Sequence, residues 1–95
     1  MYFVARSRSF EKSYRKLKKS GTLKLSVRKS LEEVIVTLSA GTRLQARHLD
    51  HQLKGEFKGY RECHIKDDLL LVYRIDEDEG VLVLMDIGSH SQLFG

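Results

Sequence analysis

No apolar run in this sequence approaches the roughly 18 residues that a membrane-spanning helix needs, so a membrane partner is not expected. The first residues hold no apolar core followed by a cleavage site, so no export signal is expected either. Cysteine occurs once in 95 residues, at Cys63. A lone thiol cannot close an internal disulfide, and without export the cytoplasm is the expected compartment. Repeats, linkers and low-complexity segments are also missing. Acid is scarce in one stretch: residues 1–30 carry Glu11 alone against ten Lys and Arg. The remaining residues reverse the balance, with seven basic and twelve acidic side chains. A basic third on a weakly acidic remainder is the footprint of a polyanion binder, although a run of charge is also what a solvated helix face looks like.

What is present fits one domain over residues 1–95. Hydrophobic residues make up 41% of the chain, enough for a small core and too many for disorder. Tyr2–Ala5 reads as a short strand. Ser7 or Ser9 caps a helix whose Phe10, Tyr14 and Leu17 share one face. Lys12, Arg15, Lys16, Lys18 and Lys19 cover the rest of that helix, and Gly21 stops it. Thr22 opens a second helix, with Leu23, Val27, Leu31, Val34, Ile35 and Leu38 in register, ending at Gly41. From Gly41 to Gly59 the pattern lapses into loop. Strands follow at Tyr60–Ile65, Leu69–Ile75 and Val81–Ile87, and Gly88–Gly95 is a tail. The order β-α-α-β-β-β predicts an α+β fold, an N-terminal strand and helical hairpin packed on an antiparallel sheet.

That meander brings His64, Asp68 and His90 to one sheet end, and His51 can fold over it from the preceding loop. Imidazole titrates near neutrality and can give or take a proton, which suits cleavage of RNA by its own 2′-hydroxyl. The charge of the phosphorane needs cations, available from Lys54, Lys58, Arg61, Lys66 or Arg74. Zinc is the competing use of three His and one Asp, but their long, irregular spacings match no compact zinc motif. The acidic run Asp76–Glu79 lacks calcium-loop spacing and reads as a solvated hairpin. Alternation places Cys63 opposite His64, as a core residue rather than a nucleophile.

Residues 50–65, DHQLKGEFKGYRECHI, run into 68–74, DLLLVYR, and the chain closes on 88–94, GSHSQLF. These segments resemble the YafQ branch of the RelE-type toxins. The resemblance implies a RelE-like fold, ribosome-dependent cleavage of mRNA with no metal or cofactor, and a cognate antitoxin as partner. Carried over by position, it implies His51, His64, Asp68 and His90 as catalytic residues and Phe94 as a substrate contact. His90 would be the general acid, Asp68 the base or the orienter of a base, and His51 and His64 charge stabilisers. Arg61, Arg74 and Leu69 are further candidates for substrate contact, although some members place Trp at Leu69, where leucine cannot stack on a base. Asp67 replaces a proline of some relatives. The basic helix residues Lys12, Arg15, Lys16, Lys18 and Lys19 are expected to bind ribosomal RNA. The alternatives are a non-catalytic ParE-like toxin acting on DNA gyrase, or an inactive nucleic-acid-binding member.

Overall fold

A computed structural model describes residues 1–95. Strand β1 (Phe3–Arg6) leads into helix α1 (Arg8–Lys19), a short joint and helix α2 (Leu25–Ser39). A two-residue strand β2 (His51–Gln52) precedes β3 (Arg61–Lys66), β4 (Leu69–Asp76) and β5 (Val81–Gly88), and helix α3 (His90–Phe94) follows. The five strands form one sheet in the order β1-β5-β4-β3-β2. No helix is long and apolar enough to cross a membrane.

The elements form for local reasons in most places. Ser7 Oγ accepts from the Phe10 amide at 3.0 Å, capping α1, so Ser7 rather than Ser9 is the cap. The same hydroxyl donates to the Met85 carbonyl at 2.6 Å, pinning the helix start to β5. Gly21 and Gly41 take positive φ, both 78°, just past the two helices, where residues with a Cβ are strained. The second helix begins at Leu25, not Thr22. Thr22 belongs to the joint, its hydroxyl 2.7 Å from that of Ser20.

Three strands form the expected antiparallel meander: β3 pairs with β4 and β4 with β5. β1 joins it parallel to β5, with Phe3 opposite Val81, which makes the sheet mixed. Two expectations fail. The stretch between Gly41 and Gly59 holds two single turns of 3₁₀ helix, Ala46–His48 and Gly55–Phe57, and the strand β2. The residues after Gly88 are not a free tail but a helix. Ser89 and Gln92 form a reciprocal cap there: Ser89 Oγ accepts from the Gln92 amide and Gln92 Oε1 from the Ser89 amide.

Alternation along the strands divides the sheet into two unlike faces. Cys63, Ile65, Leu69, Leu71, Tyr73, Leu82, Leu84 and Ile87 join Phe10, Leu17, Leu31, Val34 and Leu38 in one buried core beneath the helices. On the other face, Leu70 and Val72 are also buried but lie outside that core. Phe57 of the second 3₁₀ turn and Leu93 and Phe94 of α3 surround a hollow with Val72, so irregular chain and a five-residue helix cover part of this face. Gly88 permits the close approach of α3: a Cβ there would stand 2.9 Å from Gln92 Oε1 and 3.3 Å from its Cβ.

Candidate active site

The face away from the helices carries the histidines. His51 pairs with Glu62 across β2 and β3, and His64 lies two residues further along β3 on the same side. The buried Glu62 carboxylate sits between them, its Oε1 3.9 Å from Nε2 of His51 and 3.9 Å from Nε2 of His64. His64 is opposite Leu70, which is opposite Gly88, so β3, β4 and β5 align at the level where α3 begins. His90 stands on the first turn of α3, exposed, with its ring centroid 5.4 Å from that of Phe94. Phe94 in turn meets Phe57 edge to face at 5.3 Å. Asp68 is exposed in the β3–β4 turn, where Asp67 takes φ 52°, and it shares a cleft with Ser89 and Gln92 beside His90.

Hydrogen bonds fix the proton positions on two imidazoles. His51 Nδ1 lies 2.7 Å from the Leu49 carbonyl, which can only accept. Nδ1 therefore carries the hydrogen, and Nε2 is the ring nitrogen that faces Glu62. His48 Nδ1 donates likewise to the His64 carbonyl at 2.6 Å. His48 is buried, so it braces the β3 backbone from the side and is not open to substrate.

A second polar cluster holds the site from behind. Asp50 Oδ1 accepts from the Tyr73 hydroxyl at 2.6 Å and from Arg61 Nε at 3.2 Å. These bonds tie the residue before His51 to β3 and β4. Burial, and then the Asp50 carboxylate, raise the Tyr73 phenol above its ordinary value of 10.0. Burial is the largest single influence on Arg61 and works against its charge, but Asp50 and Tyr73 together outweigh it and raise the guanidinium pKa. Burial pushes the Cys63 thiol up to about 12, helped by the Asp50 and Glu62 charges, as suits a core residue and not a nucleophile.

The other residues singled out in the sequence are scattered. Arg61 shares the face of Cys63, opposite His64, and is engaged by Asp50. Leu69 is 6% exposed within the helix-side core, so its side chain has little surface to offer a substrate. Arg74 shares the histidine face but lies four residues along β4 from Leu70, about 13 Å away, and pairs with Asp76 at 3.6 Å. Lys12, Arg15, Lys16, Lys18 and Lys19 are exposed along α1. Lys16 lines a hollow with Gln92 and Leu93 of α3, so the basic helix borders the element that carries His90. Sequence reasoning missed Glu62, His48 and Asp50. Alternation puts Glu62 on the face of His64, but its pairing with His51 depends on β2, which the sequence does not reveal.

A family profile described as "Bacterial toxin of type II toxin-antitoxin system, YafQ" matches residues 2–95. The chain is 38% identical over 52 residues to the mRNA interferase toxin YafQ of Escherichia coli K12, an alignment spanning 55% of this chain and 54% of that protein. It thus spans about half the length of the curated relatives it matches. Among solved structures, a metal-bound toxin from Helicobacter pylori is 42% identical with a TM-score of 0.87, covering 99% of this chain and 100% of that one. A copper-bound mutant toxin from the same organism matches equally. YafQ in the E. coli DinJ–YafQ toxin–antitoxin complex is 27% identical with a TM-score of 0.83, both chains fully covered.

Proposed function

The chain belongs to the YafQ family of type II toxin–antitoxin toxins, and we propose that it is an endoribonuclease that cuts mRNA on the ribosome. The observation that carries this reading is the pair of imidazoles, His51 and His64, each with Nε2 3.9 Å from one buried carboxylate. They share a sheet face with the hollow that α3 borders through Leu93 and Phe94, and the His90 ring lies 5.4 Å from that of Phe94.

In this reading the ribose 2′-oxygen attacks phosphorus, losing its proton to a base, and the bond to the departing 5′-oxygen breaks as that oxygen gains a proton. The products are a 2′,3′-cyclic phosphate and a 5′-hydroxyl. His90, exposed at the start of α3, is the general acid. Asp68, across the cleft from Ser89, is the base or orients it. His51 and His64 stabilise the phosphorane, each with Nε2 3.9 Å from the Glu62 carboxylate. Phe94 holds the substrate. Proton transfer by imidazole and carboxylate side chains needs no metal.

The exposed cations of α1 bind ribosomal RNA, and a cognate antitoxin silences the protein. The partner reading rests on the E. coli DinJ–YafQ complex and on the basic surface of α1, which suits an acidic segment that orders on binding.

The test is cleavage of an mRNA on purified ribosomes, in EDTA and with a single 2′-deoxyribose at the cut site. Cutting is expected to survive EDTA and to vanish on the deoxy substrate. Because the H. pylori relatives are described as metal-bound, the chelator arm bears directly on this reading. Loss of cutting in EDTA, or full cutting at the deoxyribose, overturns the mechanism.

A further inference from the structure

Beside His90 lies a hollow of about 280 Å³ on the histidine face. Phe57, Tyr60, Val72, Leu93 and Phe94 give it apolar and aromatic walls. Asp86 and Glu56 are the charged groups that line it, with no Lys or Arg among them. A phosphate would meet two carboxylates and no cation there, so this is not a backbone subsite. Aromatic walls without cations suit an uncharged planar group, because every nucleobase has a π-face to stack.

Asp86 is held in place with one oxygen free. Its Oδ1 accepts from Ser13 Oγ at 2.6 Å and from the Ile87 amide at 2.8 Å. Both bonds go to Oδ1, which leaves Oδ2 as the available acceptor. We propose that the hollow receives one unpaired base of the RNA and that Asp86 selects a base with an exocyclic amino group over uracil. Adenine and cytosine each offer an amino donor that a single carboxylate oxygen can take. Uracil offers only N3–H, flanked by two carbonyl oxygens that repel a carboxylate. Phe94 connects the hollow to the chemistry, since its ring meets both Phe57 and His90. A base seated there would bring a neighbouring phosphate toward His90. The inference rests on the endoribonuclease reading and adds to it the feature of the substrate that is read.

The experiment measures binding without cleavage. Fluorescein-labelled 2′-O-methyl hexanucleotides of adenine, cytosine or uracil cannot be cut by 2′-oxygen attack, and anisotropy gives their affinities for the intact protein. The adenine and cytosine oligomers are expected to bind about tenfold tighter than the uracil one. Phe57→Leu keeps the apolar volume but removes the stacking face, and should weaken binding of all three by about tenfold or more. Asp86→Asn should erase the preference against uracil while leaving base-independent binding intact. If that variant loses its fold by circular dichroism, amide chemical shifts of the parent titrated with the adenine oligomer decide instead. Saturating shifts at Phe57, Tyr60, Leu93 and Phe94 support the pocket, and shifts confined to α1 overturn it. Equal affinity of the parent for the three oligomers also overturns it. A protein that cuts mRNA but shows no base preference loses this pocket and keeps the nuclease reading.

Discussion

His48 holds His64 in place through the backbone: its Nδ1–H donates to the His64 carbonyl at 2.6 Å from a buried position. One histidine thus fixes the strand from which another faces the site. His48→Phe keeps the ring's bulk but leaves that carbonyl without its partner, a loss of about 1–3 kcal/mol. For a domain this small, each kcal/mol lowers Tm by about 4–8 °C. His48→Gln, which can still donate, should recover part of the loss in a thermal melt. Equal melting of His48→Phe and the parent would remove His48 from the support of the site.

The Asp50 cluster predicts a coupling that one substitution cannot reveal. Tyr73→Phe should cost about 1 kcal/mol, the net worth of one hydrogen bond. Asp50→Ala should cost more, because it strands the Tyr73 hydroxyl and the Arg61 guanidinium together. In urea titrations the double variant should fall well short of the sum. Simple additivity would mean that the two groups act independently.

Two buried groups set the alkaline limit of stability. Cys63 and Tyr73 are both held protonated, the thiol up to about 12 against an ordinary 9.0, the phenol above 10.0. Below about pH 9 both folded and unfolded chains keep these protons, and stability should not change on their account. Above about pH 9 the unfolded thiol ionises while the folded one does not, and above about pH 10 the phenol does the same, so stability should fall by roughly 1.4 kcal/mol per pH unit for each group in its own range. Cys63→Ala should remove the thiol's share in denaturant titrations between pH 8.5 and 10. A thiol reagent should react with Cys63 only as fast as the protein opens.

His90→Ala should slow single-turnover cleavage by about 10²–10⁴-fold, the typical cost of losing a general acid. The side chain is exposed, so the melting temperature should hardly move. A folded variant that cuts within a few-fold of the parent would assign the role elsewhere.

Replacing Lys16, Lys18 and Lys19 with Gln tests the basic helix. Ribosome binding should weaken, and its logarithmic salt slope should drop by roughly one for each phosphate no longer gripped. The single-turnover rate at saturating ribosomes should stay near that of the parent. Because Lys16 borders α3, a variant that binds normally but fails to cut would place the helix within the catalytic surface. Unchanged binding across the titration would make these lysines an ordinary solvated face.

The parts of the fold readable from sequence are those with local causes. Phe10, Tyr14 and Leu17 mark the buried side of α1, and strand alternation separates Cys63 from His64. The placement of His64 near the start of α3 is also legible, because the meander aligns β3, β4 and β5 at that level. What escapes depends on coverage from elsewhere in the chain. Glu62 looks like a solvent-facing acid until β2 and the segments around it close over that face. β2 is two residues long and α3 five, too short for periodicity to register. The Ser89–Gln92 cap is the exception, a helix-start signal that the sequence itself carries. Leu69, a candidate for substrate contact in the sequence, lies in the helix-side core.

The parallel pairing of β1 with β5 gives the molecule a clock. Ser7 and Met85, joined by a hydrogen bond, are 78 positions apart. At roughly 5–20 residues per second of synthesis, the first strand waits about 4–16 s before its partner has been made. Until then the N-terminal segment cannot take its place in the sheet, and α3, with His90, does not yet exist. The N-terminal third therefore leaves synthesis with its sheet partner still unmade, and the five-stranded sheet closes only after β5 has appeared.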